Sequence, residues 1–389
     1  MFTRRLLVIT LIESFATVLV ERGVYFFTRD QFRFSEAMNL WLALSFGALY
    51  VVGALGSHRV SIRLGEKGLL LATVLAQTVV HAGLTAAATP ATVLMGTAAL
   101  GFLNGLKWPV LESYIGAGHT PASAAKAIGR FNISWAAAVA PSLFVAGPII
   151  SVWPRGLFAL AAGINLATLL LLRPLSARPR HLPQDHPERP GTGALAHYRS
   201  LLASSRWLML SSYSLLWILA AVMPHVFERS LGIEVTWATA CSGVLDVVRL
   251  LAFVLLGWYV GWHRKSGPLV AAALALPAGF FLVFFGDSLA VVLLGEVVFG
   301  LAAGMVYYSA LYYAMVVKNA AVDAGGAHEG LIGAGFAIGP VAGLIATGLT
   351  PVLQSRLLGV LVGVGPVILL CSAGALRAMV RGRGSGPRG

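Results

Sequence analysis

Twelve apolar segments, most about 20 residues long, recur along this 389-residue chain. They fall near residues 6–27, 37–56, 68–88, 91–115, 127–152 and 156–172. After a polar stretch they resume near 207–227, 236–260, 267–286, 288–316, 328–350 and 357–376. Each is long enough to cross a hydrocarbon core of ~30 Å as a helix, whereas a barrel strand needs only ~10 residues. Lipid offers the backbone no hydrogen bonds, so spanning segments must be helices or closed barrels. The lengths select helices, and the expected fold is an all-α polytopic membrane protein with twelve transmembrane helices. Composition agrees. The chain is 58% hydrophobic and 11% charged, with a mean hydropathy of +0.82, whereas a soluble protein carries roughly 25% charged residues.

The net charge of +13 would suggest nucleic acid in a soluble protein. Here its distribution explains it without nucleic acid. With the N-terminus on the inner side, the inner loops carry Arg59, Arg63 and Lys67, then Lys126, then Arg173, Arg178, Arg180, Arg189 and Arg199. Later inner segments carry Arg264, Lys265, Lys318, Arg377, Arg381, Arg383 and Arg388. The outer loops hold Arg29, Arg33, Arg155, Arg229 and Arg356, several beside Asp30, Glu36, Glu228 or Glu234. This is the inside-positive bias of multi-pass membrane proteins. Removing one span would invert every later loop, so both termini are expected in the cytoplasm, with a bacterial-type inner membrane as the location.

The first apolar run is too long for a cleavable leader and contains Glu13, Glu21 and Arg22. It reads as span 1. Cys241 and Cys371 lie far apart inside apolar runs, which fits packing rather than a disulfide framework or zinc site. No metal and no cofactor are expected, and no Walker A loop is present to use ATP.

The Pro-rich basic stretch 174–199 reads as a flexible linker. It sets expected boundaries: an N-terminal six-helix bundle over 1–173, a linker over 174–206, a C-terminal bundle over 207–378 and a basic tail over 379–389. The halves look duplicated. At an offset of 199 residues, Gly101 meets Gly300, Gly105 meets Gly304, Trp108 meets Tyr307 and Tyr114 meets Tyr313. The next pair of spans keeps that offset: Pro141 meets Pro340, and Arg130 meets Glu329.

Six plus six helices joined by a basic linker, with both ends inside, resemble the major facilitator superfamily. The loop HRVSIRLGEK (58–67) is similar to that family's G-x-L-A-D-R-x-G-R-K loop at Ser61, Arg63, Gly65 and Lys67, with Ile62 in place of the acidic residue. The Gly-Pro signature of span 5 has counterparts in AAAVAPSLFVAGP (136–148) and GAGFAIGPVAG (333–343). The fragment ERGVYFF (21–27) is similar to the start of proton-coupled peptide transporters, whose further Glu is Val18 here. The resemblance implies a secondary transporter for a small-molecule solute, with two halves rocking around a midplane site.

Ionisable residues inside spans cost on the order of 3 kcal/mol each on insertion scales, so they face the protein interior and pair. Proton coupling needs a buried carboxyl or His that can change state, and Glu13, Asp246 and Glu296 are the candidates, with His81 and His225 behind them. Asn104, Lys107 and Trp108 share one face of span 4 and form a candidate cavity lining with Asn132, Arg249, Tyr308 and Tyr312. Glu112 with Arg130, together with Glu21, Arg22 and Arg63, are candidate gating or structural groups. Asp246 and Arg249 stand one helical turn apart, suited to an ion pair. The expected function is secondary active transport by alternating access, coupled to protons, by a monomer in a lipid bilayer. The alternative is a transporter-like sensor or assembly partner. The nine histidines are scattered, and HEG (328–330) is not H-E-x-x-H, so an embedded metalloenzyme is not indicated.

Overall fold

The structure, a computed structural model, describes residues 2–117, 121–179, 192–318 and 322–383. Arg180, Arg189, Arg388 and the central part of the expected linker lie outside the described residues, as do the side chains of Lys126, Lys318 and Arg383. Among the described residues there is no strand, and the helices group into twelve spans.

Span 1 is α1 (Phe2–Glu21) and α2 (Gly23–Phe32), interrupted at Arg22. Spans 2 to 6 are α3 (Glu36–Leu64), α4 (Glu66–Ala86), α5 (Pro90–Gly116), α6 (Pro121–Val152) and α7 (Gly156–Leu172). Span 7 is α8 (Thr192–His225), which ends in a π turn over Val226–Ser230. Span 8 is α9 (Val235–Ser242) and α10 (Val244–Trp258), broken at Gly243. Then come α11 (Gly267–Phe285), α12 (Leu289–Lys318) and α13 (Val322–Leu353). Span 12 is α14 (Arg356–Gly363) and α15 (Gly365–Arg383), bent by 41°.

Eight of the described helices are long and apolar enough to cross a membrane on length and composition alone, and the bent pair makes a ninth. The other three have visible reasons for falling short. Span 1 is broken and carries Glu13, Glu21 and Arg22; α5 carries Asn104 and Lys107; and α7 has only 17 residues. Polar content inside a membrane helix must be satisfied by neighbouring helices, so these spans bear directly on function.

Local chemistry sets the boundaries. Ser35 caps α3 by accepting from the Met38 amide, and Thr89 with Thr92 forms a reciprocal cap before Pro90 at the start of α5. α3 runs past the expected end of span 2 to Leu64, because nothing breaks it until Gly65. Gly65, at φ 71°, turns the chain directly into α4. The family-like loop is therefore mostly helix. Likewise α8 begins at Thr192, inside the stretch expected as linker. Tyr198, Leu201 and Leu202 recur at helical spacing there and are buried.

The repeat has a physical counterpart. A Cβ on Gly101 would lie 2.3 Å from the Phe46 carbonyl oxygen, and one on Gly105 would lie 2.3 Å from that of Tyr50. In the second half, a Cβ on Gly300 would lie 2.6 Å from the Leu245 oxygen, and one on Gly304 3.3 Å from the Arg249 oxygen. Phe46 and Leu245 differ by the same 199 residues as Gly101 and Gly300, and so do Tyr50 and Arg249. Glycine thus lets span 4 touch the backbone of span 2 as span 10 touches that of span 8.

The halves meet along α3 against α13 and along α6 against α9 and α10. The first seam closes to backbone contact, with a Gly47 Cβ falling 2.3 Å from the Phe336 backbone. Helix α8 lies inside, packed by α3, α11, α12, α13 and α15, and 89% of its most apolar stretch is buried. Exposed Trp41, Trp153, Trp237, Trp258 and Tyr259 stand near helix ends, where an interfacial aromatic belt belongs.

Gly101→Ala and Gly105→Ala should each lower stability by about 1–3 kcal/mol through forced separation of α3 and α5. Gly83→Ala, which meets open space, should not. Thermal unfolding of the three variants in one detergent measures the difference.

Candidate functional site

Two sets of ionised groups occupy the membrane-spanning core, and they differ in how completely they are paired. The first lies within the N-terminal half. Lys107 Nζ donates to Glu13 Oε2 at 2.8 Å, to Gln77 Oε1 at 3.0 Å and to the Thr17 hydroxyl at 3.2 Å. Glu13 also accepts from Asn165 Nδ2 at 3.1 Å and from Thr168. Gln77 donates to Asn104 at 2.8 Å, and His81 bonds Asn165 at 2.8 Å. Lys107 and Glu13 are each 1% exposed. The network uses α1, α4, α5 and α7, so it ties four spans of one half together. A small void of about 10 Å³ adjoins it, room for one water. All three Lys107 protons have acceptors, which is what a buried ammonium requires.

The second set lies between the halves. A cavity of about 100 Å³ is lined from span 1 by Ser14, Glu21 and Arg22, and from span 4 by Trp108 and Glu112. The other half contributes Tyr213, Trp217, Arg249, Tyr307, Glu329 and Phe336. The break at Arg22 and the break at Gly243 bring Arg22 against Asp246, with Nη1 3.5 Å from Oδ2. Interrupted helices at a midplane site are a transporter device. Arg249 Nη2 lies 2.6 Å from Asp246 Oδ1, and its guanidinium stands over the Trp135 ring at 4.8 Å. One buried carboxylate therefore holds two buried guanidiniums from opposite halves. Across the cavity, the Tyr50 hydroxyl donates to Glu329, and Glu112 shares a hydrogen bond with Glu329. A bond between two carboxyl groups needs a proton on one of them. Trp217 and Phe336 stack at 3.6 Å on the wall.

At the end of the bundle opposite the termini, polar contacts join the halves again. Arg29 and Arg33 both bond Glu228, at 2.7 and 3.3 Å, and Arg356 bonds Glu36 at 3.0 Å. Asn39 donates to the Ala221 oxygen, and His225 contacts the Phe34 oxygen at 2.9 Å.

The sequence-derived residues thus sort into several places. Asp246 and Arg249 do pair, and Trp108, Arg249, Glu21, Arg22 and Glu112 reach the cavity. Glu13, Asn104 and Lys107 belong instead to the network inside one half, because their bonds are satisfied there. Glu112 does not pair with Arg130: it faces Glu329, while Arg130 is exposed and has no ion pair among the described residues. Arg63 is likewise exposed on the last turn of α3. Tyr308 and Tyr312 do not line the cavity. They pack into an aromatic group near the termini, where the Tyr312 ring lies 4.1 Å from that of His263 and Tyr308 meets Trp262. Tyr307 lines the cavity instead. Asn132 is buried away from it. Glu296 is fully buried, and no side-chain donor reaches its carboxyl. Among the described residues, no cluster suited to a metal ion occurs.

Sequence reasoning missed Tyr50, Trp135, Tyr213, Trp217, Phe336 and the role of Glu329. Glu329 had a signal, since it is a carboxyl opening an apolar span. The aromatics had none, because cavity and core aromatics share the same helical spacing.

The family model described as Major Facilitator Superfamily matches residues 6–344. No curated protein sequence matches the chain. Among solved structures, a bacterial homologue of the human lysosomal transporter Spinster, inward-facing and unoccupied, superposes with TM-score 0.68 at 15% identity, covering 99% of this chain and 94% of that one. The nucleoside transporter NupG gives 0.66 at 13% identity over 99% and 100%. The human organic anion transporter MFSD10 gives 0.63 at 14% over 97% and 98%.

Lys107→Met should destabilise the protein by ~3–5 kcal/mol, because it strands a buried Glu13 carboxylate. Adding Glu13→Gln should recover part of that loss. Thermal midpoints of the single and double variants read the coupling.

Proposed function

The chain belongs to the major facilitator superfamily, and on that premise we propose that this multi-pass membrane transporter moves a small solute through the central cavity by alternating access driven by protons. The observation that carries the reading is the cavity's position. It lies on the seam between the two halves, and both halves supply its charged lining. A site on such a seam changes its exposure when the halves rock. The contacts at the far end join the same two halves, so they form the gate that opens when the site faces that way.

The proton is assigned to Glu112 and Glu329. They come from opposite halves, and their mutual hydrogen bond requires a shared proton. Rocking that separates α5 from α13 breaks that bond, which links proton release to movement. Asp246 stays in the role of a switchable link between Arg22 and Arg249. Glu13, with every bond satisfied inside one half, is structural. Glu296, buried behind Asp246, supports that link. An N-terminal bundle that ends near 173 and a C-terminal bundle that opens with α8 at Thr192, with the termini on the cytoplasmic side of a bacterial inner membrane, belong to the same reading, as does a monomeric working unit.

Two measurements test it. In proteoliposomes, Glu329→Gln should abolish uptake driven by an imposed pH gradient while retaining exchange between preloaded and external solute. Wild-type flux that ignores a collapsed gradient would remove the proton from the scheme, and absence of any flux would favour the sensor reading. For the gate, Glu228→Gln combined with Glu36→Gln should speed labelling of a cysteine at Phe34, now 6% exposed, by an impermeant maleimide. An unchanged rate would show that the ion pairs do not hold that end shut.

A further inference from the structure

The cavity wall carries hydrogen-bonding groups that the protein itself does not satisfy, and their arrangement specifies a ligand. Arg22 Nη2, Arg249 Nε, Trp135 Nε1 and Trp217 Nε1 are buried without a partner, and all four residues line the cavity. An unpaired buried donor forfeits the hydrogen bond it made to water, at greater cost when charged, so four at one place call for an acceptor-rich occupant. Among the described residues, Asp246 is the carboxylate ion-paired with both guanidiniums, and Glu296 lies near it.

The same cavity has an opposite pole. Glu112 and Glu329 hold each other with Tyr50, whereas Glu21 has no ion pair among the described residues and stays within electrostatic reach of both Arg22 and Arg249. Neither arginine forms an ion pair with any of these three glutamates. Between the poles the wall is aromatic, formed by Trp108, Tyr213, Tyr307 and Phe336. At ~10–15 Å³ per water-sized position, about 100 Å³ offers roughly seven to ten such positions, the size of one substituted six-membered ring.

Resting on the reading of this cavity as the solute site, we propose that the solute is a small aromatic zwitterion. Its carboxylate bonds Arg22 and Arg249, with the indole N–H groups of Trp135 and Trp217 beside them. Its ring lies among the aromatic side chains. Its ammonium faces the Glu112–Glu329 pair. A charge-assisted contact at each end is roughly twice as strong as a neutral one, so a ligand with both charges gains over a ligand with either.

The test is calorimetric titration of the purified full chain with four probes of one ring size: 4-(aminomethyl)benzoate, benzoate, benzylamine and benzamide. The zwitterion should bind at least about tenfold tighter than benzoate or benzylamine, and benzamide weakest. Arg249→Gln should erase the advantage of the zwitterion over benzylamine, and Glu329→Gln its advantage over benzoate. If either variant fails to fold, the wild-type series still decides. Equal affinity for all four probes, or no saturable binding of the zwitterion to folded protein, overturns the inference. Flux of another solute without zwitterion binding would sink this inference and leave transport standing. Zwitterion binding without flux of any kind would do the reverse.

Discussion

A charge in hydrocarbon must find its counter-charge inside the protein, and that constraint organises this molecule. It is met in two ways. Within the N-terminal half, Lys107 and Glu13 are surrounded by Thr17, Gln77, Asn165 and Thr168, and every strong donor and acceptor is used. Between the halves, Arg22, Asp246 and Arg249 are paired but not saturated. A saturated network resists rearrangement, because breaking it strands a buried charge. An unsaturated one can exchange partners at lower cost. The first is suited to keeping one half rigid, and the second sits on the seam between the halves.

Rigid halves also follow from the duplicated glycine contacts. Phe46 with Gly101 and Leu245 with Gly300 place carbonyl oxygens where any side chain would collide. Spans 2 and 4, and spans 8 and 10, are thereby held at backbone distance. Two helix breaks lie on the seam, at Arg22 and at Gly243, whereas the bend in span 12 packs within the C-terminal half against α13 and α8.

Much of the fold was legible in the sequence, because hydrophobic length and the distribution of Arg and Lys are one-dimensional signals. The twelve spans came from those, and the repeat offset from matched residues such as Gly101 with Gly300 and Pro141 with Pro340. Boundaries were less legible. α3 and α8 extend beyond the apolar runs because helix continues until a breaker stops it, and a helix outside lipid leaves no mark in hydropathy. The site was legible in part. Charged residues advertise themselves in an apolar span, so Arg22, Glu112, Asp246 and Arg249 could be picked out. A partner on the same helix could be, as Asp246 with Arg249, but partners on other helices could not, since the meeting of Glu112 with Glu329 depends on how two helices are turned toward each other. Nor does spacing distinguish Tyr307 in the cavity from Tyr308 in the neighbouring aromatic group.

Helix α8 has protein on nearly every side, and most of the helices that enclose it, α11, α12, α13 and α15, are later in the chain. During synthesis it must therefore enter the bilayer ahead of its own packing partners. Its serines and the buried Trp217 would meet acyl chains until those partners arrive. The most enclosed helix of the molecule is thus one whose enclosure waits on chain made after it.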